Sequence, residues 1–418
     1  MDLQKLVRIN EGIISPRIFS DPEIYAREVQ SIFAKSWLFL GHESQIPKAG
    51  DFFSTYMAED PIFIVRQKDG SIAALLNQCR HRGMRVCRAD QGNAKAFTCT
   101  YHGWSYDTNG ELKALPHEEL YGAIDKRDWG LRRVTRVESY KGLLFGNWDA
   151  DAPSLGEYLG SAAHYVDGLV DRLDGGTEVV GGVQKWVIAC NWKMPAEQFA
   201  SDMYHAAYSH ISAIEACMPA DYDPKVHSMA DRDGLQFWTE QGHAGGYFLA
   251  DRPNPSIWLE PAAKRWLEDS FDEASSRIGQ KNAARVSGHN TIFPNFSWLN
   301  GTNTIRVWHP RGHDRIEVWA WVLVDSKAPP EVKDAMRKGA LRSFGPSGML
   351  EQDDGENWVE VQKVMRGAAA RGGEFCYGMA LGAPEIHIEG GAATHHGPLF
   401  SDNAARNFYR RWLQLMEA

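Results

Sequence analysis

The sequence lacks the motifs by which proteins bind nucleotides and the long apolar runs by which they cross membranes. Neither G-x-G-x-x-G nor G-x-x-x-x-G-K-[S/T] occurs among the 418 residues, so no dinucleotide or nucleoside-triphosphate site is indicated. No apolar stretch approaches the roughly 20 residues of a membrane span, and the N-terminus has no apolar signal-peptide core. We therefore expect a cytoplasmic protein without a membrane partner, and one that would receive electrons for any redox chemistry from another protein.

The sequence has few cysteines and no segment in which charges of one sign are concentrated. Six cysteines are too few for a disulfide framework in a chain of this size, which favours a reducing compartment. The 45 basic and 54 acidic side chains give a formal charge of −9 without long like-charge runs, so nucleic acid is not an expected partner. The length suits two domains, with enough apolar residues to bury both cores.

Two of the cysteines stand in short motifs that pair each of them with a histidine. Cys79-Arg-His81 ends an apparent hairpin, and Cys99-Thr-Tyr-His102 follows on a second loop. A structural zinc site usually takes like ligands from each loop, whereas each loop here carries one thiolate and one imidazole. This pattern suits a Rieske [2Fe–2S] cluster, a one-electron relay in which one iron takes both cysteines and the other both histidines. The plainer alternative, buried cysteines beside surface histidines, does not explain four ligands at this spacing.

The hydrophobic pattern divides the chain into two domains. Short apolar strands and hairpin turns continue as far as Trp148, and a linker-like stretch follows. We predict an α+β protein, with a β-rich Rieske domain over 38–157 and a second domain formed by 1–37 and 158–418. In the second domain, TIRVWHP and IEVWAWVLVD would lie in a long antiparallel sheet covered by helices. Two covering helices are predicted, from Glu356 to Met365 and from Ala404 to Met416.

The stretch Asn191–His210 concentrates carboxylates and imidazoles, and we expect a helix there. Asp202 and His205 would share one helix face, whereas His205 and His210 would diverge by about 140°. Two histidines on a helix are more often surface or capping residues than metal ligands. Beside an electron relay, however, they suit the two-histidine, one-carboxylate triad of non-haem Fe(II) oxygenases. For both imidazoles to reach one ion, the helix must widen into a π-bulge or end between them.

The third ligand of such a triad must come from elsewhere in the chain. Glu351, Asp353 and Asp354 all follow a glycine-rich turn and precede an apparent helix that begins near Glu356. These acids could equally serve only to cap that helix. Spacing alone does not choose among the three.

Together these motifs resemble a known family. The segments that carry the resemblance are Cys79-x-His81, Cys99-x2-His102-Gly-Trp, Asn191-Trp-Lys, Glu197-Gln-Phe, Asp202-Met-Tyr-His205, His210, Phe344-Gly-Pro and Gln352-Asp353-Asp354. In this order they are similar to the α subunits of Rieske aromatic-ring-hydroxylating dioxygenases, above all the biphenyl, polycyclic-arene and phenylpropionate members. Such a terminal oxygenase uses O2 and NADH-derived electrons to convert an aromatic ring to a cis-dihydrodiol.

The resemblance also implies cofactors and partners. His205, His210 and Asp354 would hold a mononuclear Fe(II), and Asp202 would link His205 to the cluster ligand His102 of a neighbouring subunit. The second domain would thus be the catalytic iron domain. A small β subunit, commonly in an α3β3 ring, a ferredoxin and an NADH-dependent reductase are the implied protein partners.

The predicted pocket wall combines residues near the histidines with others that the resemblance implies. The first group is Gln198, Phe199, Met203 and Ala206, and the second is His289, Leu299, Phe344 and Leu350. None of these is a cation, which favours a neutral arene over a carboxylate anion. Three alternatives stay open: dioxygenation of an aryl carboxylate such as phenylpropionate, a Rieske monooxygenase, and an electron carrier without chemistry of its own.

Overall fold

The chain divides into two structural units. The computed structural model describes residues 2–218, 223, 233–388 and 394–418. One unit contains residues 33–155 and the other residues 1–32 and 156–418, where 38–157 was predicted for the first. The predicted α+β class is confirmed. None of the helices in the described part of the chain is long and apolar enough to cross a membrane.

The strands and helices have the following bounds. The strands are β1 (Val7–Arg8), β2 (Ile13–Ile14), β3 (Leu38–His42), β4 (Asp51–Met57), β5 (Asp60–Arg66), β6 (Ile72–Leu76), β7 (Gln91–Asn93), β8 (Ala96–Thr98), β9 (Ser105–Asp107), β10 (Leu112–Ala114), β11 (Arg136–Tyr140), β12 (Leu143–Asn147), β13 (Thr177–Ile188), β14 (Gly234–Trp238), β15 (Ala244–Phe248), β16 (Gly288–Ile292), β17 (Phe296–Asn300), β18 (Thr304–Pro310), β19 (Ile316–Asp325), β20 (Phe375–Cys376) and β21 (His395–Pro398). The α-helices are α1 (Arg17–Ser20), α2 (Pro22–Glu28), α3 (Leu155–Leu159), α4 (Ala163–Val170), α5 (Lys193–Ser201), α6 (Ala206–Ser209), α7 (Ile211–Cys217), α8 (Pro261–Asp269), α9 (Phe271–Ile278), α10 (Gln280–Ala284), α11 (Pro330–Phe344), α12 (Met349–Val364), α13 (Ala368–Arg371) and α14 (Asn403–Glu417).

The smaller unit is built from three antiparallel sheets. Their strand orders are β6-β5-β4-β7, β11-β12-β3 and β10-β9-β8. Apolar side chains of the first and the third of these sheets form one core, in which the ring of Phe97 lies 5.2 Å from that of Phe52 and 4.5 Å from that of Phe63. Cys79 and Cys99 are buried in the same core, so the two thiols share an apolar environment.

The larger unit is organised on an eight-stranded antiparallel sheet. Its order is β13-β19-β18-β17-β16-β15-β14-β21. The predicted placement of TIRVWHP and IEVWAWVLVD in one long antiparallel sheet is confirmed, and the two segments are neighbours there, since β18 pairs with β19 from Thr304↔Val322 to Pro310↔Ile316. Every residue of β18 and all but one of β19 are buried, as expected for central strands covered on both faces.

Helix α5 packs closely on the middle of this sheet. The Thr291 hydroxyl of β16 donates a hydrogen bond to the Ala196 carbonyl of α5 at 2.8 Å. Close approach also needs glycine on β15, because a Cβ at Gly246 would come within 2.7 Å of Met203 Cγ. The sheet therefore lies close both to α5 and to the residues directly after it.

The predicted helix after the glycine-rich turn begins earlier than expected. The prediction placed its start near Glu356, whereas α12 starts at Met349, directly after the turn that Gly345 and Gly348 close. That start was wrong because the acids were interpreted as flanking residues, although the turn ends before them. Asp353 and Asp354 consequently lie inside the helix and face different directions.

Candidate active site

The chain leaves the helical path at Asp202. Helix α5 ends at Ser201, and Asp202 has φ −89° and ψ 85°. Its carboxylate accepts the backbone N–H of His205 at 3.0 Å, as a capping aspartate does, and starts a new turn. The expectation of a continuous helix carrying both residues on one face was therefore wrong, although their side chains do meet. The sequence left two ways to bring the imidazoles together, a π-bulge or a helix end. The structure has the helix end, since α6 stops before His210 and α7 starts after it.

The two imidazoles converge on one carboxylate. His205 Nε2 lies 3.2 Å and His210 Nε2 3.3 Å from Asp354 Oδ1. The three ligand atoms all lie within 4.8 Å of one another. The Asp354 side chain is only 2% exposed, and its Oδ1 has no hydrogen-bond partner within the described residues. Two nitrogens and one oxygen at this spacing fit the donor set of non-haem iron.

Each imidazole is oriented through its other ring nitrogen. His205 Nδ1 donates to the backbone carbonyl of Asp202 at 2.7 Å, and His210 Nδ1 donates to the Asp353 carboxylate at 3.0 Å. These contacts leave both Nε2 atoms directed at Asp354. A metal-binding histidine usually has its second ring nitrogen held in this way by a carbonyl or a carboxylate.

The charges of the three side chains are strongly coupled. Burial opposes the positive charge on His205, but the carboxylates of Asp202 and Asp354 raise its pKa to about 10. Burial also opposes the negative charge on Asp354, yet the two histidines hold the pKa of this carboxyl well below its usual range. Asp354 is therefore ionised at neutral pH, and a cation bound here would displace the proton of His205.

The two Cys–His motifs of the smaller unit form matching loops. Cys79 N–H donates to the Met84 carbonyl and Cys99 N–H to the Trp104 carbonyl, both at 2.8 Å. Four residues after each cysteine, a glycine N–H donates back to that cysteine's carbonyl at 2.9 Å. These glycines, Gly83 and Gly103, have φ of +78° and +75°, which explains the residue type.

The four side chains of these loops are grouped as a Rieske cluster requires. The His81 and His102 ring centroids are 4.4 Å apart, and both rings are half-buried, whereas both thiols are buried. His81 Nδ1 is buried without a hydrogen-bond partner in the described parts of the chain. Burial, together with the neighbouring Cys99 thiol, raises the pKa of Cys79. Buried sulfur paired with outer imidazoles fits a [2Fe–2S] group with two chemically different irons.

A cavity of about 380 Å³ opens onto His205, His210 and Asp354. The structure places all eight predicted pocket residues in its wall: Gln198, Phe199, Met203, Ala206, His289, Leu299, Phe344 and Leu350. Within the described residues, no lysine or arginine lines it. Burial lowers the pKa of His289. The cavity wall is therefore mostly apolar, with the ionised carboxylate of Asp354 and the protonated imidazole of His205 together at one end.

Comparisons with known proteins agree with this geometry. Residues 156–418 match the family model of the ring hydroxylating alpha subunit (catalytic domain), and residues 36–134 match the Rieske [2Fe-2S] domain. The chain is 48% identical to the biphenyl 2,3-dioxygenase α subunit of Rhodococcus jostii, over 99% of this chain and 91% of that one. This chain belongs to the α subunits of ring-hydroxylating dioxygenases.

Further relatives of this α subunit act on other arenes. It is 45% identical to the benzene 1,2-dioxygenase α subunit of Pseudomonas putida, over 99% of this chain and 93% of that one. The structure of naphthalene 1,2-dioxygenase with indole in its active site matches with a TM-score of 0.90 at 32% identity, over 99% and 94% of the two chains. The predicted family, the dioxygenase class, the hydroxylation of an aromatic ring and both cofactors are confirmed.

Several residues around the sites of the α subunit were missed in the sequence. Asp353 was considered only as a ligand or cap, and its contact with His210 needs the fold. Gly83 could have been found, since it follows Cys79 at the same distance at which Gly103, part of the Cys99-x2-His102-Gly-Trp motif, follows Cys99. The Tyr106 hydroxyl, 3.4 Å from Cys79 Sγ, has no such signal. Neither has the loop 254–258, which adds five residues to the cavity wall.

Proposed function

We propose that this α subunit adds both atoms of O2 to a neutral aromatic hydrocarbon of one to three rings, giving a cis-dihydrodiol. Its cavity of about 380 Å³ lies in the lower part of the range of about 300–1,000 Å³ that is typical of ligand pockets. The observation that carries the proposal is that one cavity is lined by apolar side chains and by His205, His210 and Asp354 together. A carboxylate on the substrate would be costly to bury in such a wall, which disfavours the aryl-carboxylate alternative.

We propose His205, His210 and Asp354 as the ligands of the mononuclear iron. Iron(II) held by these three side chains would supply the activation of O2 beside the arene. The chain's own contribution is orientation: the Asp202 carbonyl and the Asp353 carboxylate hold the imidazoles by their Nδ1 atoms.

The cavity wall would position the arene and exclude water. Phe199 and Phe344 offer aromatic faces, and Met203, Leu299 and Leu350 offer aliphatic surface. Gln198 is held from outside, because Trp358 Nε1 donates to its Oε1 at 2.7 Å. Its amide nitrogen then lies 3.5 Å from His205 Nε2, where it would limit how closely a ring approaches the iron.

We further propose Cys79, Cys99, His81 and His102 as the ligands of the [2Fe–2S] cluster. Electrons would come from NADH through a reductase and a ferredoxin, and would cross from His102 of one subunit to Asp202 of its neighbour. Asp202 suits this role because its side chain is partly exposed, at 23%, while its Oδ1 lies 3.3 Å from His205 Nδ1. An α3β3 ring with a small β subunit would provide that neighbour, and we propose the cytoplasm as the compartment.

Product analysis with 18O2 tests the proposed reaction. The purified protein, supplied with a ferredoxin and a reductase, would be given naphthalene, phenanthrene, biphenyl and phenylpropionate in turn. We expect cis-dihydrodiols with two labelled oxygen atoms from at least one hydrocarbon, and little or no product from phenylpropionate. A product with one labelled oxygen atom would instead identify a monooxygenase.

The variant Asp202→Asn tests the electron path. We expect the cluster to be reduced and the iron to be bound as in wild type, with product formation nearly abolished because the charged link to His205 is lost. Glu360→Gln is a matched control, since Glu360 lines the same surface depression as Asp202 but pairs with Lys363. Near-normal turnover by Asp202→Asn would remove Asp202 from the path.

A further inference from the structure

A fully buried guanidinium lies behind the wall of the arene cavity. Arg306, on β18, is 0% exposed and pairs with Glu351 through an Nη1–Oε2 distance of 2.5 Å. Its Nη2 donates to the Phe344 carbonyl at 3.3 Å and to the Thr304 hydroxyl at 3.2 Å. A buried ion pair is weak evidence for stabilisation, because desolvation offsets most of the attraction. The pair is better understood through the groups that it holds in place.

Those groups are two walls of the cavity and the start of the helix that carries Asp354. The guanidinium carbon lies 5.0 Å from the ring centroid of Phe199 and 5.7 Å from that of Phe344. Glu351 is in the first turn of α12, next to the lining residue Leu350 and one turn before Asp354. Arg306 itself does not line the cavity, so it acts on a bound ring only through these neighbours.

The Arg306 guanidinium thus contacts Phe199, Phe344 and Glu351 at once. The Phe344 carbonyl is at the C-terminal end of α11, and Glu351 is at the start of α12, with the turn Gly345–Gly348 between them. The planar fork of arginine can hold both elements in fixed directions, which a lysine ammonium cannot do. A shift of either helix end would move an aromatic wall relative to Asp354.

We propose that Arg306, through its pair with Glu351, is a positioning residue that selects which carbons of the arene face the iron. This inference rests on the proposed function. Arg306 lies outside the cavity, so its substitution changes neither the lining residues nor the proposed iron ligands. Any change in the position of attack on the ring would then come from displaced walls. Since small displacements of a bound substrate change rates strongly, the effect should be seen first in the ratio of products.

The test compares two buried ion pairs of the same unit. Arg306→Lys and Glu351→Gln perturb the proposed pair. Glu28→Gln perturbs the other one, in which Glu28 lies 2.6 Å from Lys193 with both side chains 0% exposed. Each variant is given biphenyl and phenanthrene, which can be attacked at more than one position. The measurements are the ratio of regioisomeric cis-dihydrodiols, the fraction of NADH consumption that yields hydrogen peroxide, the iron content and the melting temperature.

We expect Arg306→Lys to keep its iron but to change the regioisomer ratio by about threefold or more and to raise the peroxide fraction. Glu351→Gln should change the ratio in the same direction by less, and it keeps the test open if Arg306→Lys does not fold. Glu28→Gln should lower the melting temperature with an unchanged ratio. An active Arg306→Lys variant with the wild-type regioisomer ratio would overturn this inference and leave the proposed function standing. So would a Glu28→Gln variant whose regioisomer ratio changes as much as that of Arg306→Lys. Absence of any cis-dihydrodiol from wild type would overturn the proposed function, and this inference with it.

Discussion

Removal of the Asp353 carboxylate should weaken iron binding without touching an iron ligand. Asp353 is the acceptor for His210 Nδ1 at 3.0 Å, and the His210 side chain is only 5% exposed. In Asp353→Ala, this N–H loses its partner, and little water can replace it. Loss of such an outer contact typically costs about 10- to 100-fold in metal affinity.

The position of Asp353 narrows this range. Its side chain is 31% exposed, so solvent screens part of its charge. We therefore expect the lower half of the range, about 10- to 30-fold in Kd, or about 1.4 to 2 kcal/mol. Asp353→Asn keeps an acceptor oxygen without the charge and should show a smaller loss.

The matched control is Asp202→Asn, at the other histidine. His205 Nδ1 donates to the backbone carbonyl of Asp202, which the substitution leaves in place. Its iron affinity should therefore not fall, because His205 keeps its acceptor and loses only a carboxylate that raises its pKa. The two aspartates differ because the acceptor for His210 Nδ1 is the side chain of Asp353, whereas the 2.7 Å acceptor for His205 Nδ1 is the main chain of Asp202.

The assay is an anaerobic Fe(II) titration of protein from which a chelator has removed the mononuclear iron. Visible absorbance reports the [2Fe–2S] cluster separately, so that cluster loss is not counted as weak binding. Equal Kd values for Asp353→Ala and wild type would show that the His210 contact does not orient a ligand. An equally large loss in Asp202→Asn would refute the distinction between side-chain and main-chain support.

Two further predictions concern the protons and the glycines of the metal sites. Because the pKa of His205 is raised to about 10, Fe(II) must displace its proton, and affinity should rise about tenfold per pH unit between about pH 6.5 and 8.5. Calorimetry in buffers of different ionisation enthalpy should detect the released proton, and a pH-independent affinity would contradict this. At the cluster, Gly83→Ala should cost about 1–2 kcal/mol for its left-handed backbone alone. Gly103→Ala should cost about 1–3 kcal/mol more, because its Cβ would lie 2.8 Å from Pro116 Cγ, whereas at Gly83 the nearest neighbour is 3.9 Å away. The temperature at which the cluster absorbance disappears measures both, and equal values would contradict the steric argument.

Local patterns predicted a large part of this protein. The motifs of Cys79 and Cys99 each lie in one short loop, and a loop's own hydrogen bonds determine its shape. The placement of β18 and β19 in one antiparallel sheet followed from two apolar runs close in the sequence. Neighbouring residues also determine the start of α2: Asp21 caps it by accepting the N–H of Glu23, and Pro22 is its first residue.

Other features depend on groups that are far apart in the chain. The end of α5 was missed because helical spacing alone predicts a longer helix, whereas Asp202 bonds to His205 and turns the chain. His289 Nε2, 2.9 Å from the Asp202 carbonyl, reaches this turn from β16. The residues Asn191–His210 alone could not predict this contact, because His289 lies far away in the sequence.

The three acids of α12 show most clearly what the sequence determines and what only the tertiary structure decides. Residue types alone predicted iron chemistry, since thiolates and imidazoles in two loops, with a second imidazole pair downstream, have few other uses. They could not rank the acids, because neighbouring positions on a helix diverge by about 100° and each acid meets whatever the fold brings to its side. The tertiary structure brings Arg306 to Glu351, His210 Nδ1 to Asp353, and both Nε2 atoms to Asp354.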